Sequence, residues 1–399
     1  MSAPVKWRQQ LALDLPDPRP GAIWLHACSM GEVGSVVPLI RSFCADGEEV
    51  HLTVVTRTGF TRAMRELCTP EATAGRVTAS YLPWDLPGRI DRMIGHLAPR
   101  ALLLVETEFW PGMLASCRRR GIPVVGVNTR ISDRSFPRYR ATALLWRRWL
   151  APVRLFLAQS AIDAERLRAL GIEAERVVET GNLKLAVSPP EVDAEALRRR
   201  IDPGGRRPIL LLASSHAGEE EVVVRHLSRL LEIAPDLLLL IVPRHPERFD
   251  QAAESCRTLG FPPVRWSEGV AVDARRSVMV VDAMGVLAGL FAIADLVVVG
   301  GSIADCGGHN PLEAAVCGRG VITGPYVQNF RSVMRQLATA GGAVVAEDRQ
   351  ALGDVLVEMV RHPDRLRRLH AHAARWMAQQ GDVLARVRAQ CDRWIPPRA

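Results

Sequence analysis

The chain has 399 residues, of which 48% are hydrophobic and 24% charged, and it carries a formal net charge of +8. This length exceeds what one hydrophobic core usually organises, so we expect two domains. No run approaches the roughly 18 consecutive apolar residues that span a bilayer, and the N-terminal segment lacks the apolar core of a secretory signal. The eight cysteines are scattered without any C-x-x-C pair, which argues against a zinc site or disulfide framework and is typical of a cytosolic protein.

The basic charge is carried almost entirely by arginine, because Lys6 and Lys184 are the only lysines. A basic balance is compatible with nucleic acid, an anionic membrane or a phosphorylated ligand. The sequence contains no RNA-binding aromatic signature, zinc finger or basic helix register, so we expect no nucleic-acid partner.

In chain order, short apolar runs alternate with amphipathic segments from residue 22 onward. The first half has candidate strands at 22–26, 50–56, 78–82, 101–105, 123–128 and 155–158. Between them lie helical patterns, among them 36–45, 62–67, 88–96 and 112–120. This alternation predicts an α/β unit whose parallel sheet carries helices on both faces.

The alternation pauses at 186–207, where two proline- and glycine-containing stretches frame a charged helix. Further strands are predicted at 208–213, 237–242, 278–281, 296–299 and 320–323, with a helix near 219–233 and an arginine-rich helical end at 350–394. We therefore predict two Rossmann-like domains, residues 1–186 and 187–399, each with a doubly wound parallel sheet.

A glycine-rich loop follows the strand predicted at 296–299. It reads Gly-Gly-Ser-Ile-Ala-Asp-Cys-Gly-Gly-His-Asn-Pro-Leu-Glu-Ala-Ala at 300–315, and Asn310 with Pro311 is typical of an N-cap and a first helical residue. A helix start at the carboxyl edge of a sheet offers free N–H groups to an anion, so we predict a nucleotide site here. The simpler interpretation is an ordinary loop with structural glycines.

Two acidic loops follow strands of the first half. Glu32 lies between Gly31 and Gly34 after the first strand, and Glu106-Thr107-Glu108 follows the strand at 101–105. A lone carboxylate at a helix start is often only a favourable partner of the helix dipole, worth under about 1 kcal/mol. Two acidic loops at one sheet edge, however, are what general-base catalysis with a supporting carboxylate requires.

The strand ends of the second half are small, polar or basic. Arg244 and His245 follow a strand and suit a phosphate, and small-residue loops follow two others, at 214–219 and 282–285. This asymmetry predicts a nucleotide in the second domain and an acceptor with its base in the first. Lys184 in Gly-Asn-Leu-Lys is a lysine retained in an arginine-biased chain, which hints at a need for a compact ammonium.

The segment 134–154 interleaves arginines with two tryptophans, a phenylalanine and a tyrosine. This composition is typical of a surface that rests on anionic lipid headgroups. It is equally compatible with a core helix that turns an arginine face to solvent.

Taken together, these segments resemble the Kdo transferases, GT-B glycosyltransferases that move 3-deoxy-D-manno-octulosonic acid (Kdo) from CMP-Kdo onto a lipid A precursor. The resemblance covers residues 24–337 and rests on seven ordered motifs. They are Ser-Met-Gly-Glu at 29–32, Leu-Pro-Trp-Asp-Leu-Pro-Gly at 82–88, Glu-Thr-Glu-Phe-Trp-Pro at 106–111, Gly-Ile-Pro-Val-Val-Gly-Val-Asn-Thr-Arg-Ile-Ser at 121–132, Gly-Asn-Leu-Lys at 181–184, Val-Pro-Arg-His-Pro-Glu-Arg-Phe at 242–249, and the glycine-rich block.

The resemblance implies a role for each matching residue. Glu32 matches the general base that deprotonates the acceptor hydroxyl, and Glu106 and Lys184 match positions that support the transition state. The implied contacts to CMP are Arg244, His245, Met284, Gly285, Val286, Asn310, Pro311, Leu312 and Glu313. The implied fold is GT-B, with a cleft between the two domains, and the implied reaction inverts the anomeric carbon without a metal or cofactor.

Two departures from the family pattern stand out. Val286 occupies a position where the family usually has Glu, and the membrane-anchoring helix with which the family usually begins is not found in this sequence. We therefore expect peripheral contact with the cytoplasmic face of the inner membrane through a surface such as 134–154. The alternatives are a divergent GT-B enzyme with another nucleotide sugar or acceptor, and a non-catalytic module that kept the fold.

Overall fold

The computed structural model describes residues 6–86, 88–187, 189–269, 271–272 and 276–398. They form two compact units, 1–186 with 382–399 and 187–381. Among these described residues, no helix combines the length and the apolar character needed to cross a membrane.

The sheet of the first unit has seven parallel strands over the described residues, in the order β3-β2-β1-β4-β5-β6-β7. The strands are β1 Ile23–His26, β2 Val50–Val54, β3 Val77–Tyr81, β4 Ala101–Val105, β5 Val124–Thr129, β6 Val153–Ala158 and β7 Val177–Glu179. The helices are α1 Lys6–Gln10, α2 Met30–Ala45, α3 Arg57–Glu66, α4 Pro70–Thr73, α5 Arg89–Leu97, α6 Pro111–Arg119, α7 Phe136–Ala141, α8 Ala143–Leu150 and α9 Ala161–Ala169.

The second unit repeats this architecture in the part of the chain that is described, with strand order β10-β11-β9-β8-β12-β13-β14. Its strands are β8 Ile209–Ser215, β9 Leu238–Pro243, β10 Val264–Arg265, β11 Val278–Val280, β12 Leu296–Val299, β13 Val321–Thr323 and β14 Ala343–Val345. Its helices are α10 Ala194–Ile201, α11 Glu219–Ile233, α12 Phe249–Thr258, α13 Leu287–Ile293, α14 Leu312–Val316, α15 Arg331–Thr339, α16 Arg349–Arg361 and α17 Pro363–Gln380.

The central strands of both sheets are continuous apolar runs that are buried on both faces, as parallel sheets require. Strand β4, Ala-Leu-Leu-Leu-Val, has all five residues buried, and strand β12, Leu-Val-Val-Val, has all four buried. The prediction of two parallel-sheet α/β domains is therefore confirmed.

The end of the chain differs from the predicted domain 187–399. The last helix, α18 Val383–Asp392, packs against α2 of the first unit. It is anchored by Cys391, which is fully buried, and by Arg388, which forms an ion pair with Asp46 at 2.7 Å. The amphipathic pattern that predicted a helix here does not reveal which core the apolar side covers.

The strand order places a topological switch point in each sheet. In the first sheet, β1 lies between β2 and β4, so the chain leaves β1 and β4 toward opposite sides. In the second sheet, β8 lies in the same way between β9 and β12. Ligands of open α/β sheets bind beyond the carboxyl ends of such strand pairs. Catalytic and ligand-binding residues are therefore expected in the loops after β1, β4, β8 and β12.

Candidate active site

Glu32 lies in the first turn of α2, immediately beyond the carboxyl end of β1. Ser29 is the N-cap residue, and its Oγ accepts a hydrogen bond from the Glu32 backbone N–H. The Glu32 carboxylate in turn accepts hydrogen bonds from the Ser29 hydroxyl and from the Cys28 backbone N–H, each at 2.8 Å. This Ser-x-x-Glu arrangement is a variant of the capping box, in which cap and carboxylate satisfy each other's donors.

The surroundings of Glu32 raise the pKa of its carboxyl group into the range expected of a general base. Burial raises its pKa to about 7, against the opposing hydrogen bonds from Ser29 and Cys28, and the neighbouring carboxylates of Glu108 and Glu106 add to the rise. A base is most effective when its pKa lies near the working pH, because it is then largely ionised yet still able to hold a proton. Such a shifted carboxyl beside a switch point is a candidate catalytic group.

Glu106 and Lys184 come together beside the end of β4. The Lys184 Nζ lies 3.5 Å from the Glu106 Oε1. Glu106 adopts the left-handed backbone conformation at φ +56°, which a residue other than glycine holds at a cost of about 1 kcal/mol or more. Lys184 is positioned by Asn182, whose Oδ1 accepts a hydrogen bond from the Lys184 N–H at 2.9 Å. The fold therefore brings two of the predicted residues, distant in sequence, into one ion pair.

Glu108 is a further acidic residue of this site that the sequence analysis did not single out. One oxygen of its carboxyl group, one of Glu32 and the Sγ of Cys28 lie within 4.8 Å of one another. Burial raises the pKa of Glu108 above its usual range. The motif Glu-Thr-Glu indicated that a second carboxylate could belong to the site, since alternate residues after a strand can reach the same edge of the sheet. The sequence pattern alone does not show which of the two carboxylates lies near Glu32.

The group formed by Cys28, Glu32 and Glu108 has the spacing of a metal site, but its chemistry fits a metal poorly. Burial raises the pKa of the Cys28 thiol to about 12, so the thiolate that would bind a metal is disfavoured. Both Glu32 oxygens already accept hydrogen bonds. We derive no chemistry through a metal at this position.

Three histidines converge at the switch point of the second unit. The Nε2 atoms of His216, after β8, and His309, after β12, lie 2.8 Å apart with their rings stacked at 5.0 Å. The ring of His245, after β9, lies 5.6 Å from that of His216. A hydrogen bond between two imidazole nitrogens needs one proton between them. Burial lowers the pKa of His309 to about 4 and also lowers that of His216, and Arg244 and His245 reinforce both shifts.

Glu219 holds the glycine-rich loop in place and was missed from sequence. Its fully buried carboxylate accepts backbone hydrogen bonds from His216, Gly301, Ile303 and Ala304 at 2.8–2.9 Å. Gly301 has φ +67°, and a Cβ there would lie 2.9 Å from the His309 ring. Three of these four N–H donors belong to the glycine-rich loop, and pairing with several donors is the usual condition for burying a carboxylate.

Asn310 and Glu313 form a polar pair at the end of the same loop. The Asn310 Nδ2 donates to a Glu313 oxygen at 3.2 Å, and its Oδ1 accepts from the Leu312 N–H at 3.1 Å. Burial raises the pKa of Glu313, while the nearby Arg244 guanidinium opposes the rise. Among the described residues, the other carboxylate oxygen of Glu313 accepts no hydrogen bond.

The predicted helix start at this loop needs correction. Helix α14 begins at Leu312 rather than at Pro311, Pro311 occupies the N-cap position, and Asn310 is one residue earlier. The helix has five residues, so the contribution of its dipole to anion binding is weak. Leu312 is a core residue at 1% exposure, so its side chain is not available to a ligand.

The remaining predicted donor residues lie before α13. Met284 is 60% exposed, Gly285 has φ +84°, and Val286 is the N-cap residue of the helix. Helix α13 packs against α14 of the same unit, so this loop precedes a helix that adjoins the one carrying Glu313.

The segment 134–154 forms α7 and α8, and the structure divides its residues between core and surface. Phe136, Tyr139 and Trp146 pack partly buried against the first core, with the Tyr139 and Trp146 rings 4.2 Å apart. Leu144 and Trp149 face outward, Leu144 with 85% of its surface exposed. Three of the four aromatic side chains thus serve packing, and an exposed apolar and arginine-rich face remains.

Comparisons with known proteins identify the family of the chain. A family model described as 3-deoxy-D-manno-octulosonic-acid transferase (kdotransferase) matches residues 5–187. The chain is 33% identical to the 3-deoxy-D-manno-octulosonic acid transferase of Bordetella pertussis, over 95% of this chain and 89% of that protein. It is 36% identical to the enzyme of the same name from Haemophilus influenzae, over 82% and 76% of the two chains.

Solved structures resemble the chain in fold. A glycosyltransferase from Rickettsia africae matches 94% of this chain and 98% of its own length with a TM-score of 0.54 at 13% identity. Anabaena HepE in complex with UDP covers the same shares with a TM-score of 0.52, also at 13% identity. At this identity the likeness concerns the fold alone, which is the two-domain GT-B fold.

Proposed function

Because the chain belongs to the 3-deoxy-D-manno-octulosonic acid transferase family, we propose that it transfers Kdo from CMP-Kdo to a lipid A precursor. The proposed reaction is a metal-independent displacement that inverts the anomeric carbon. The acceptor hydroxyl loses its proton to Glu32 and forms a new bond to that carbon. The bond from the carbon to the phosphate oxygen breaks, and CMP leaves with the electron pair.

The groups proposed to bind the donor are those at the switch point of the second unit. Arg244 and His245 suit the phosphate, since a guanidinium matches two phosphate oxygens at once. Asn310 and Glu313 suit the ribose, because the Glu313 carboxylate can accept from its hydroxyls. The His216–His309 pair lies close to Arg244 and His245, and it remains uncharged at neutral pH until an anion raises its affinity for a proton.

The groups proposed to act on the acceptor lie in the first unit. The single observation that carries the proposal is the Glu32 carboxyl, oriented by Ser29 and Cys28 and raised in pKa to about 7. Below pH 7 this carboxyl is mostly protonated and cannot accept the hydroxyl proton. We therefore expect kcat/KM to rise as pH increases through about 7.

Calorimetric titration with CMP and, separately, with UDP tests the donor half of the proposal. We expect CMP to bind and UDP to bind at least about tenfold more weakly, since recognition of a polar base edge discriminates strongly when hydrogen bonds are lost. Equal or tighter UDP binding would assign the chain to a different nucleotide sugar.

Replacing Lys184 by Met should lower kcat by about tenfold or more while leaving CMP affinity unchanged. The change leaves Glu106 without its cation, so an additional uncompensated negative charge acts on Glu32 and raises its pKa. The acidic limb of the pH profile should therefore move to higher pH. Arg168→Met, which removes an exposed cation of α9 in the same unit, is the control, and an unchanged limb in Lys184→Met would contradict the proposed role.

For access to a lipid acceptor we propose that α7 and α8 rest on an anionic membrane surface. Leu144, Leu145 and Trp149 are exposed there. They are accompanied by exposed arginines on the same two helices, namely Arg138, Arg140, Arg147 and Arg148. Exposed apolar groups flanked by guanidinium groups combine the two forces that hold peripheral proteins on anionic lipid.

Vesicle co-sedimentation tests this surface. We expect the wild-type chain to bind vesicles that contain phosphatidylglycerol, and the double variant Leu144→Glu/Trp149→Glu to bind them about tenfold more weakly. Each change removes an apolar side chain that the bilayer would bury and adds a negative charge that the anionic lipid repels. Ile162→Glu, at an exposed apolar residue of α9, is the matched control. Equal losses in both variants would contradict a specific surface.

A further inference from the structure

Three backbone N–H groups of the glycine-rich loop are already occupied by a side chain of the protein. Gly301, Ile303 and Ala304 donate to the Glu219 carboxylate at 2.8–2.9 Å. This carboxylate is fully buried at the start of α11. Several N–H groups gathered around one carboxylate form the kind of concavity in which such loops bind external anions. Since an internal carboxylate fills it here, these three N–H groups are not available to a nucleotide phosphate.

One oxygen of Glu219 also joins the two segments that carry the histidine pair. Its Oε2 accepts from the His216 N–H and from the Gly301 N–H, each at 2.8 Å. Gly301 lies against the His309 ring, since a Cβ added to the glycine would be 2.9 Å from that ring. The Gly301 carbonyl oxygen accepts from the N–H of Gly308, directly before His309, at 2.7 Å. Glu219 therefore sets the position of His309 relative to His216.

The loop approaches the end of β8 too closely for any side chain at Gly300. A Cβ there would lie 2.6 Å from the Ser214 carbonyl oxygen and 2.8 Å from the Glu219 Oε2. Ser214 itself has φ +58°, a conformation that is unfavourable for a residue with a side chain. Such strain persists only where surrounding contacts hold it. The hydrogen bonds of Glu219 to the segments on both sides are contacts of this kind.

The result of this arrangement is the contact between the two imidazoles, whose Nε2 atoms lie 2.8 Å apart. This contact holds one proton, so one ring donates through its Nε2 and the other accepts. The accepting ring, when neutral, carries its own proton on Nδ1 and can donate it to a phosphate oxygen. Among the described residues, neither Nδ1 atom has a hydrogen-bond partner. The pair thus offers an anion an N–H donor that the protein does not use itself.

We propose that Glu219 is a positioning residue for donor binding. It fills the N–H groups of the glycine-rich loop and holds His309 against His216, so that the imidazole pair, rather than these N–H groups, bonds the phosphate of CMP. The inference rests on the proposed donor, CMP-Kdo. It requires that Glu219 affect the binding of the phosphate and leave the binding of the cytidine unchanged.

NMR titrations with CMP and with cytidine, which lacks the phosphate, separate this role from general support of the fold. In Glu219→Gln, the amide nitrogen cannot accept the two N–H groups that one carboxylate oxygen accepts, so the loop should move away from β8. The affinity for CMP should fall about tenfold or more, as expected when a hydrogen bond to a charged group is lost, while the affinity for cytidine stays as in the wild type. An equal loss for both ligands, or no loss for either, would overturn the proposal.

Asp295→Asn is the matched control, because Asp295 joins the same two strands at the opposite edge of the sheet. It directly precedes β12, and its carboxylate accepts at 2.8 Å from the N–H of Ile209, the first residue of β8. The variant should unfold at a lower temperature and yet bind CMP as the wild type does. If it loses as much CMP affinity as Glu219→Gln, any weakening of the sheet reduces binding and the proposal fails.

Gly301→Ala provides a second test that leaves the buried carboxylate in place. The added Cβ should displace the His309 ring, and the φ of +67° strains any side chain at this position. Gly260→Ala, at φ +86° and with no atom within 4 Å of the added Cβ, has the strain without such a contact. CMP affinity, but not cytidine affinity, should fall in Gly301→Ala and remain in Gly260→Ala. Equal CMP affinities in the two variants would refute the proposed positioning of His309.

A double-mutant cycle tests whether Glu219 acts through His309. We expect His309→Ala to lower the ratio of CMP to cytidine affinity about tenfold or more. The double variant Glu219→Gln/His309→Ala should lower it no further, because both changes remove the same contact. A fall equal to the product of the two single effects would overturn the proposal.

The wild-type titration distinguishes this inference from the proposed function. If the wild-type chain does not bind CMP more tightly than cytidine, the proposed donor site itself fails. If it does, and Glu219→Gln keeps the wild-type ratio of the two affinities, only the present inference fails.

Discussion

Replacing Glu32 by Gln is expected to reduce kcat by about 10²–10⁴-fold, the usual contribution of a positioned general base. The amide keeps the size of the carboxyl group, and its oxygen can still accept from Ser29 or Cys28, so α2 should remain capped. It cannot accept a proton from the acceptor hydroxyl. The measurement is a steady-state transfer assay with CMP-Kdo generated in situ.

Glu165→Gln is the matched control for this prediction, because Glu165 is an exposed residue of α9 in the same unit. It should retain wild-type turnover. The Glu32→Gln variant should bind CMP as tightly as the wild type, since the proposed nucleotide groups all lie in the second unit. Turnover above about one per cent of wild type in Glu32→Gln would contradict the assignment of the base.

Replacing Arg244 by Ala is expected to weaken CMP binding by about 10- to 100-fold, since a hydrogen bond to a charged group contributes roughly 1.5–3 kcal/mol. The loss has two causes. The phosphate loses a bidentate partner, and the Glu313 carboxyl loses the cation that offsets its burial. Arg244→Lys should restore part of the affinity, because it restores the charge without the planar pair of donors.

Calorimetry with CMP measures the Arg244 effect, and Arg335→Ala, an exposed position on α15 of the same unit, is the control. The control should bind CMP as the wild type does. CMP affinity that is unchanged in Arg244→Ala would remove Arg244 from the donor site and leave the histidine pair as its candidate anion-binding group.

The fold could be predicted because buried parallel strands are continuous apolar runs. Strands β4 and β12 are such runs, and both were placed to within a residue. Strands β7 and β10 were not predicted, since they have three and two residues and are partly exposed. These two strands are identified by their pairing with a neighbouring strand, β6 or β11, rather than by their own sequence pattern.

The candidate site was predicted where sequence order alone places a residue at a strand end. Glu32, Glu106 and Arg244 are such residues. The contacts of His26 and Glu219 could not be predicted, because their partners are distant in sequence. His26 bonds Thr53 and lies 3.9 Å from Glu108, both from neighbouring segments of the sheet. Glu219 accepts hydrogen bonds from the N–H groups of Gly301, Ile303 and Ala304 of another loop.

The position of Asn310 illustrates the limit of local capping rules. Asn-Pro predicted a helix start, and Asn310 does bond the backbone of Leu312. The helix nevertheless starts one residue later than predicted, at Leu312, and the Asn310 side chain also donates a hydrogen bond to Glu313. Capping patterns therefore locate a helix start to within a residue, while the exact first residue of the helix depends on the local side-chain hydrogen bonds.

The most direct test of the account is the mass of the product formed by the purified wild-type chain. It is incubated with a tetraacylated lipid A precursor, with CMP-Kdo generated in situ, and with EDTA to remove divalent metal once the CMP-Kdo has formed. The account predicts a product heavier by one or more Kdo residues, with CMP released in equal amount, and at most about one per cent of that yield from Glu32→Gln in the same time. An unchanged acceptor mass with the wild-type chain, or an equal product yield from Glu32→Gln, would contradict it.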